Sequence, residues 1–255
     1  LILVLQGTGD GKLITQTLVG QGYRVGALAA TDYGRELAVE YGAILVDKNL
    51  NTGTGTWLEE LGVQAVVDAR HPFDGKGEDE LARQCRANNI MYLRIGREET
   101  DICHELLHPV SSMPEAAQKA AGLGKTIFLT TGSHDLEHFV ALQKTQGIRL
   151  VVRVLPEHKV VKKCQDMGIH TRDIVAMQGP FSKQINKALF KMYRAAVVVT
   201  KDSGRAGGTD TKIDAALALK IPVVIVKRPS ATTQREYRWD EAVQVINQQL
   251  PLQPR

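Results

Sequence analysis

What the 255-residue chain has little of narrows its class before any motif is read. Aromatic residues make up only 5% of it, and no apolar run approaches the roughly 18–20 residues that a membrane-spanning helix needs. An integral membrane protein built on such helices is therefore excluded. Cysteine is scarce too: Cys85, Cys103 and Cys164 are odd in number and far apart. They fit neither a disulfide framework nor metal-ligand spacing, so a cytoplasmic protein without a bound metal is expected. The chain starts on Leu1 where Met is usual, so an initiator or tag is taken to be missing. Its opening apolar run is five residues long without a basic flank, which does not read as a secretory signal. An excess of one charge is also lacking. The 32 Lys and Arg stand against 28 Asp and Glu, a net +4, with the basic residues scattered and no block interleaved with aromatics. Nucleic acid and membranes are therefore not expected partners, whereas a mild positive bias suits small anions such as phosphates or a polycarboxylate.

What is present is rhythm. Leu1–Leu5, Tyr23–Ala29, Ala43–Val46, Ala65–Asp68 and Met91–Ile95 are short apolar runs separated by helical patterns over Lys12–Gly20, Gly34–Tyr41, Thr56–Leu61 and Glu78–Asn89. Runs of this length suit strands buried on both faces, as parallel sheets require, with helices as crossovers. The rhythm lapses from Arg97 to Met113, where a crossing segment with a strand near Val110 is expected, and resumes with a helix over Pro114–Gly122. Strands follow at Thr126–Thr131, Arg149–Leu155, Asp173–Ala176, Ala196–Thr200 and Pro222–Val226. Helices follow at Leu136–Thr145, Glu157–Met167, Ser182–Met192, Asp210–Leu219 and Trp239–Gln248. The expectation is two α/β domains with mainly parallel sheets: residues 1–97, a crossing segment 98–113, and residues 114–255.

Gly7-Thr8-Gly9-Asp10-Gly11 follows the first strand and opens a helix. Such a turn lets backbone amides and a helix N-terminus approach a phosphate. Its G-x-G-x-G spacing is shorter than the full dinucleotide fingerprint, and an ordinary turn with Asp10 as helix cap is the plain alternative. At the end of the second strand, Asp32 suits a ribose hydroxyl, as in NAD binders, whereas Thr31 and Arg35 suit a 2′-phosphate, as in NADP binders. Both stay open. Asp68-Ala69-Arg70-His71-Pro72-Phe73 closes the fourth strand, where His71 has the pKa range for proton transfer.

Three strand ends in the second half carry small polar residues: Thr130-Thr131-Gly132-Ser133, Gln178-Gly179-Pro180-Phe181-Ser182, and Thr200-Lys201-Asp202-Ser203-Gly204 continuing to Gly207-Gly208-Thr209-Asp210-Thr211-Lys212. Together they offer amides, hydroxyls and two lysines to an anion. Ser182 is expected to cap its helix. His104 and His108, at i and i+4, lack the surroundings of a zinc site. No G-x-S-x-G is present, and no tyrosine has a lysine four residues on, which counts against esterases and against sugar-nucleotide epimerases.

Taken in order along nearly the whole chain, these stretches resemble the precorrin-6A reductase family, including its cobalt-precorrin-6A counterpart. The resemblance is carried by Gly7-Thr8 with Asp10 and Lys12, Thr31–Leu37, Val67-Asp68-Ala69, His71-Pro72-Phe73, Tyr92-Leu93-Arg94 and Thr130–Ser133. It continues through Arg153-Val154-Leu155-Pro156, Gln178–Ser182, Thr200–Gly204, and Gly208 with Lys212. It implies two Rossmann-like domains with the active site in the inter-domain cleft. The reaction it implies is hydride transfer from NADPH, or NADH, to one double bond of a corrin precursor in cobalamin biosynthesis. Cofactor contacts then fall to Gly7, Thr8, Gly9, Asp10, Thr31, Tyr33, Gly34, Arg35, His71 and Pro72. A tetrapyrrole with several carboxylates would meet Gly132, Ser133, Gly179, Phe181, Lys201, Asp202, Ser203, Gly204 and Lys212. Lys201, Asp202 and His71 are the candidate proton donors. Two stretches, Asn51–Thr56 and Asp74–Asp79, depart from the family pattern.

Overall fold

The computed structural model describes residues 1–47, 56–71, 73, 80–96, 102–204, 207–228, 235–250 and 252. The chain forms two compact units, Leu1–Arg97 with Ser230–Arg255, and Glu98–Pro229.

The first unit is a parallel sheet of β1 (Ile2–Gln6), β2 (Val25–Ala29), β3 (Ile44–Leu45), β4 (Ala65–Ala69), β5 (Met91–Ile95) and β12 (Glu236–Tyr237), in spatial order β3-β2-β1-β4-β5-β12. The alternation within β1 shows why an unbroken apolar run folds this way. Ile2 and Val4 face one layer with Ile14 and Leu18 of α1 (Gly9–Gly20) and Ala242, Val243 and Ile246 of α10 (Trp239–Gln249). Leu3 and Leu5 face the other, with Trp57 and Leu58 of α3 (Thr56–Glu60) and Leu81 and Cys85 of α4 (Glu80–Ala87). The sheet is thus sandwiched, and every residue of β1 is buried. Strand order reverses between β1 and β4, the switch point where ligands bind in this class of sheet.

The second unit repeats the plan. Its strands are β6 (Leu107–Val110), β7 (Thr126–Leu129), β8 (Arg149–Val154), β9 (Ile174–Ala176), β10 (Val197–Lys201) and β11 (Val223–Val226), in order β9-β8-β7-β10-β11-β6. Among the described residues, the paired neighbours in both sheets run parallel. Phe128, Val151, Val198 and Ile225 pack against Leu189 and Phe190 of α8 (Lys183–Met192) and Ile213 and Ala216 of α9 (Thr209–Leu217). The opposite face meets α5 (Met113–Leu123) and α6 (Glu137–Gln146). The switch point here lies between β7 and β10.

Two boundaries differ from the sequence expectation. Residues from 230 onward belong with the first unit: β12 pairs with Arg94 and Ile95 of β5, α10 packs on α1, and the Tyr23 hydroxyl donates to the Leu250 carbonyl at 3.0 Å. A two-residue strand leaves no periodic signal, and an amphipathic helix does not say which sheet it covers. The segment 98–113 is likewise no separate crossing. Its β6 pairs with β11 at the edge of the second sheet, where Pro109 is tolerated because an edge strand can spare an amide.

Candidate functional site

The turn after β1 is shaped by what a side chain would strike. A Cβ on Gly7 would stand 3.0 Å from the Arg70 Cα and 3.1 Å from the His71 nitrogen, so any other residue there would need the backbone of the β4 turn to give way by a few tenths of an ångström. A Cβ on Gly11 would meet that of Ala69 at 3.2 Å, whereas one on Gly9 would find nothing within 4 Å. The middle glycine therefore faces open space. Thr8, not Asp10, is the N-cap of α1, but its hydroxyl donates to the Ala69 carbonyl at 2.8 Å and gives no side-chain cap. Asp10 is buried in the first turn. Chain amides at an uncapped helix start beside an open glycine are the donor set a pyrophosphate requires.

Beyond β2, Thr31 caps α2 (Asp32–Glu40) by accepting the Gly34 amide at 3.1 Å, so these two residues shape the turn. Asp32 and Arg35 line a shallow groove with Glu36, Val39 and Leu45. Arg35 pairs with Asp47 at 3.5 Å, and that carboxylate is 87% exposed, a partner easily exchanged. The Lys12 ammonium lies 4.8 Å over the Tyr33 ring, joining α1 to the start of α2.

At the end of β4, sequence reasoning left Asp68 without a role. Its fully buried carboxylate accepts from Arg70 Nε at 2.9 Å and Nη2 at 2.6 Å, from Tyr92 Oη at 2.6 Å, and pairs with Arg94 Nη1 at 2.6 Å. Burial alone would raise its pKa. The Arg70 hydrogen bond, the Arg94 and Arg70 charges and the Tyr92 hydroxyl outweigh that and hold it at about 2. Next in the turn, His71 accepts the Phe73 amide at Nδ1 at 3.3 Å, which assigns the proton of the neutral ring to Nε2. Pro72, and the stretches 51–55 and 74–79, lie outside the described residues.

The second unit has a cavity of about 200 Å³ beyond the ends of β7 and β8, lined by Thr130, Gly132, Arg153, Gly179, Phe181 and Lys212 among others. Four residues expected to meet substrate, Gly132, Gly179, Phe181 and Lys212, are thus brought together. Ser133, Lys201, Asp202, Ser203 and Gly204 are not in its lining. Lys201 pairs with Asp135 at 3.0 Å, and Asp202, fully buried, pairs with Lys227 at 3.2 Å. The Ser203 amide donates to Thr209 Oγ1 at 3.0 Å and that of Gly204 to Asp202 Oδ1 at 3.4 Å, which locks the loop into the start of α9. The Ser133 carbonyl accepts Lys163 Nζ at 2.8 Å. Ser182 caps α8 as expected, taking the Ile185 amide. Arg153 carries no role in the sequence reading beyond its place in a motif. The sign that could have found it is parity, since it shares the face of Val151 on β8.

Two six-stranded parallel sheets of the same order, one with an open glycine turn and one with a basic cavity, match a known architecture. The model of the precorrin-6x reductase CbiJ/CobK family matches residues 1–247. The chain belongs to that family. Among curated relatives, the cobalt-precorrin-6A reductase of Priestia megaterium is 34% identical over 95% of this chain and 96% of its own length. That of Salmonella typhimurium is 32% identical over 90% and 88%. The solved structure of CobK precorrin-6A reductase superposes with a TM-score of 0.76 at 21% identity, covering 97% of this chain and 96% of its own, which shows the shared fold. As in the sequence expectation, this precorrin-6x reductase family member is an α/β protein of two Rossmann-like units. Among its described residues no helix is long and apolar enough to cross a membrane.

Proposed function

We propose that this chain is the nicotinamide-dependent reductase that saturates one double bond of precorrin-6A or cobalt-precorrin-6A in cobalamin biosynthesis. The observation that carries the proposal is the family match over both units, with the open glycine turn at the first switch point. When bound, the nicotinamide supplies the hydride. The turn of Gly7, Thr8, Gly9 and Asp10 and the start of α1 hold its pyrophosphate. Thr31, Gly34 and Tyr33 shape the ribose side, and Arg35 takes a 2′-phosphate in exchange for its exposed partner Asp47, so NADPH is the cofactor in preference to NADH.

The loops of the second unit receive the macrocycle. Gly132, Gly179, Phe181 and Lys212 form one subsite, and Lys201 is a further cation for a carboxylate. Ser203 and Gly204 keep the Lys201 loop in place, with Asp202 as its buried brace. Of the three groups read as proton donors, Lys201 and Asp202 sit in ion pairs, and we assign the step to His71, which has to donate as the imidazolium, its Nδ1 giving up the Phe73 amide and taking a proton first. The three free cysteines, two of them buried, agree with a cytoplasmic setting.

The decisive experiment mixes the protein with NADPH and each macrocycle in turn and follows nicotinamide oxidation together with the macrocycle's visible spectrum. Coupled changes in both are expected. A dinucleotide that binds and is not oxidised with either macrocycle would make the chain a sensor and overturn the proposal. In the same assay His71→Gln should lower kcat about 100-fold with NADPH affinity kept, and Lys201→Ala should raise the macrocycle KM. An unchanged kcat in the first, or an unchanged KM in the second, removes that residue from its role.

A further inference from the structure

Arg153 stands where the core of the second unit should continue. Val151, two residues earlier on the same face of β8, belongs to the apolar layer with Phe128 and Phe190. Arg153 takes the next place on that face and is only 6% exposed. Its guanidinium donates from Nη1 to Asn186 Oδ1 at 2.7 Å and lies 4.2 Å from the Phe181 ring. Asn186 is itself fully buried and fixed, its Nδ2 donating to the Ser182 carbonyl at 3.1 Å. Other arginines in the fold hold carboxylates: Arg70 and Arg94 share Asp68, and Arg149 holds Asp173. Among the described residues no carboxylate pairs with Arg153.

Lys212 shares the same cavity. Its Nζ donates to the Gly207 carbonyl at 3.0 Å and forms no ion pair among the described residues. Burial and the neighbouring Arg153 charge push its pKa down to about 8, against the pull of Asp210, and burial lowers Arg153 to about 10. The start of α9, capped by Gly208 without a side-chain bond, opens beside them. Two cations facing one cavity, Arg153 buried and Lys212 half-buried, with neither in an ion pair among the described residues, are costly to a folded protein unless an anion completes them. A cavity of about 200 Å³ is below the range of whole-ligand pockets, roughly 300 Å³ and up, and has the size of a subsite for one acidic group.

We propose that Arg153 and Lys212 form an oxyanion subsite that takes one carboxylate arm of the macrocycle, with Arg153 as a specificity-determining residue held in place by Asn186. The source of the anion rests on the function proposed above; the existence of the subsite does not.

The test has two arms. In the first, millimolar succinate or inorganic phosphate is added to the ligand-free protein and the melting temperature is followed. Both anions should raise it in the wild type, and neither should in Lys212→Met or Arg153→Met. The ligand-free melting temperature of Lys212→Met should equal or exceed that of the wild type, because a half-buried charge that repels Arg153 has been removed. Should Arg153→Met fail to fold, Lys212→Met and Arg153→Lys carry the test, the latter keeping part of the anion response. In the second arm, Lys212→Met should raise the macrocycle KM at least about tenfold and leave the NADPH KM within about twofold.

An anion response undiminished in Lys212→Met overturns the subsite. A lowered ligand-free melting temperature with an unchanged macrocycle KM makes the lysine merely structural, with the same consequence. A rise in the NADPH KM instead gives the subsite to a dinucleotide phosphate and overturns the carboxylate assignment. Anion protection lost in the variant, in a protein that reduces neither macrocycle, supports the subsite and overturns the proposed function alone.

Discussion

The two units of this reductase-family chain are built on one plan and finished differently. Both have the strand order 3-2-1-4-5 with a sixth strand at the far edge, which is β12 from the chain's end in the first and β6 from before its own first strand in the second. Both place a buried aspartate at the end of the fourth strand and tie it to cations of the fifth: Asp68 with Arg94 of β5, and Asp202 with Lys227 just past β11. The difference lies in the turn after the first strand and in the face beside it. Both turns carry a glycine whose added Cβ would meet nothing, Gly9 and Gly132, but the first unit leaves the helix start to chain amides, while the second has a cavity there, walled by Arg153 and Lys212. Topology supplies the same crevice twice, and the residues at its mouth decide what enters.

The shared aspartates give the strongest way to test that parallel. Asp68→Ala takes the shared carboxylate from two arginines that are less than a fifth exposed and should cost about 3 kcal/mol in urea unfolding. Asp202→Ala takes the carboxylate from Lys227, which is 37% exposed and can rehydrate, and should cost about 1–2 kcal/mol. Equal costs would mean that the two braces are not distinguished by solvent access. The Asp68 effect has a sign in pH as well. Its folded pKa is depressed to about 2, so its contribution is complete above the ordinary carboxylate value near 4 and is lost as pH falls through about 2. The stability gap between wild type and Asp68→Ala should hold at neutral pH and close on acidification; a gap independent of pH would contradict the ionised brace.

Smaller effects separate packing from binding in the first unit. Gly7→Ala drives a methyl group against the Arg70 and His71 backbone and should cost roughly 1–3 kcal/mol of stability. An unchanged unfolding midpoint would show that the β4 turn can retreat. Arg35→Gln should weaken NADPH by about tenfold and spare NADH. Equal binding of NADPH by wild type and variant would return the ribose side to Asp32 and NADH.

The sequence made the layered architecture legible because apolar runs of four to six residues leave a strand buried on two faces little alternative, as β1 and β4 show. The two-residue β12 fell below that signal, and the apolar stripe of α10 fits either sheet equally well. At the site, the glycine turn is a local pattern and could be read directly. The Asp68 brace depends on Asp68 pairing with Arg94 across two neighbouring strands, a register that spacing does not state. Arg153 and Lys212 line one cavity because the end of β8 and the start of α9 both reach it, which spacing does not state. Asp202 and Lys201 are adjacent in sequence but hold different partners, Lys227 and Asp135, which adjacency does not state.

The first unit's glycine turn is the proposed dinucleotide cradle, and Gly9 tests it most directly. A methyl group there touches nothing in the protein, so Gly9→Ala should unfold at the wild-type urea concentration while its NADPH dissociation constant, measured by titration, rises about tenfold or more. Wild-type NADPH affinity in a fully folded Gly9→Ala protein would contradict it.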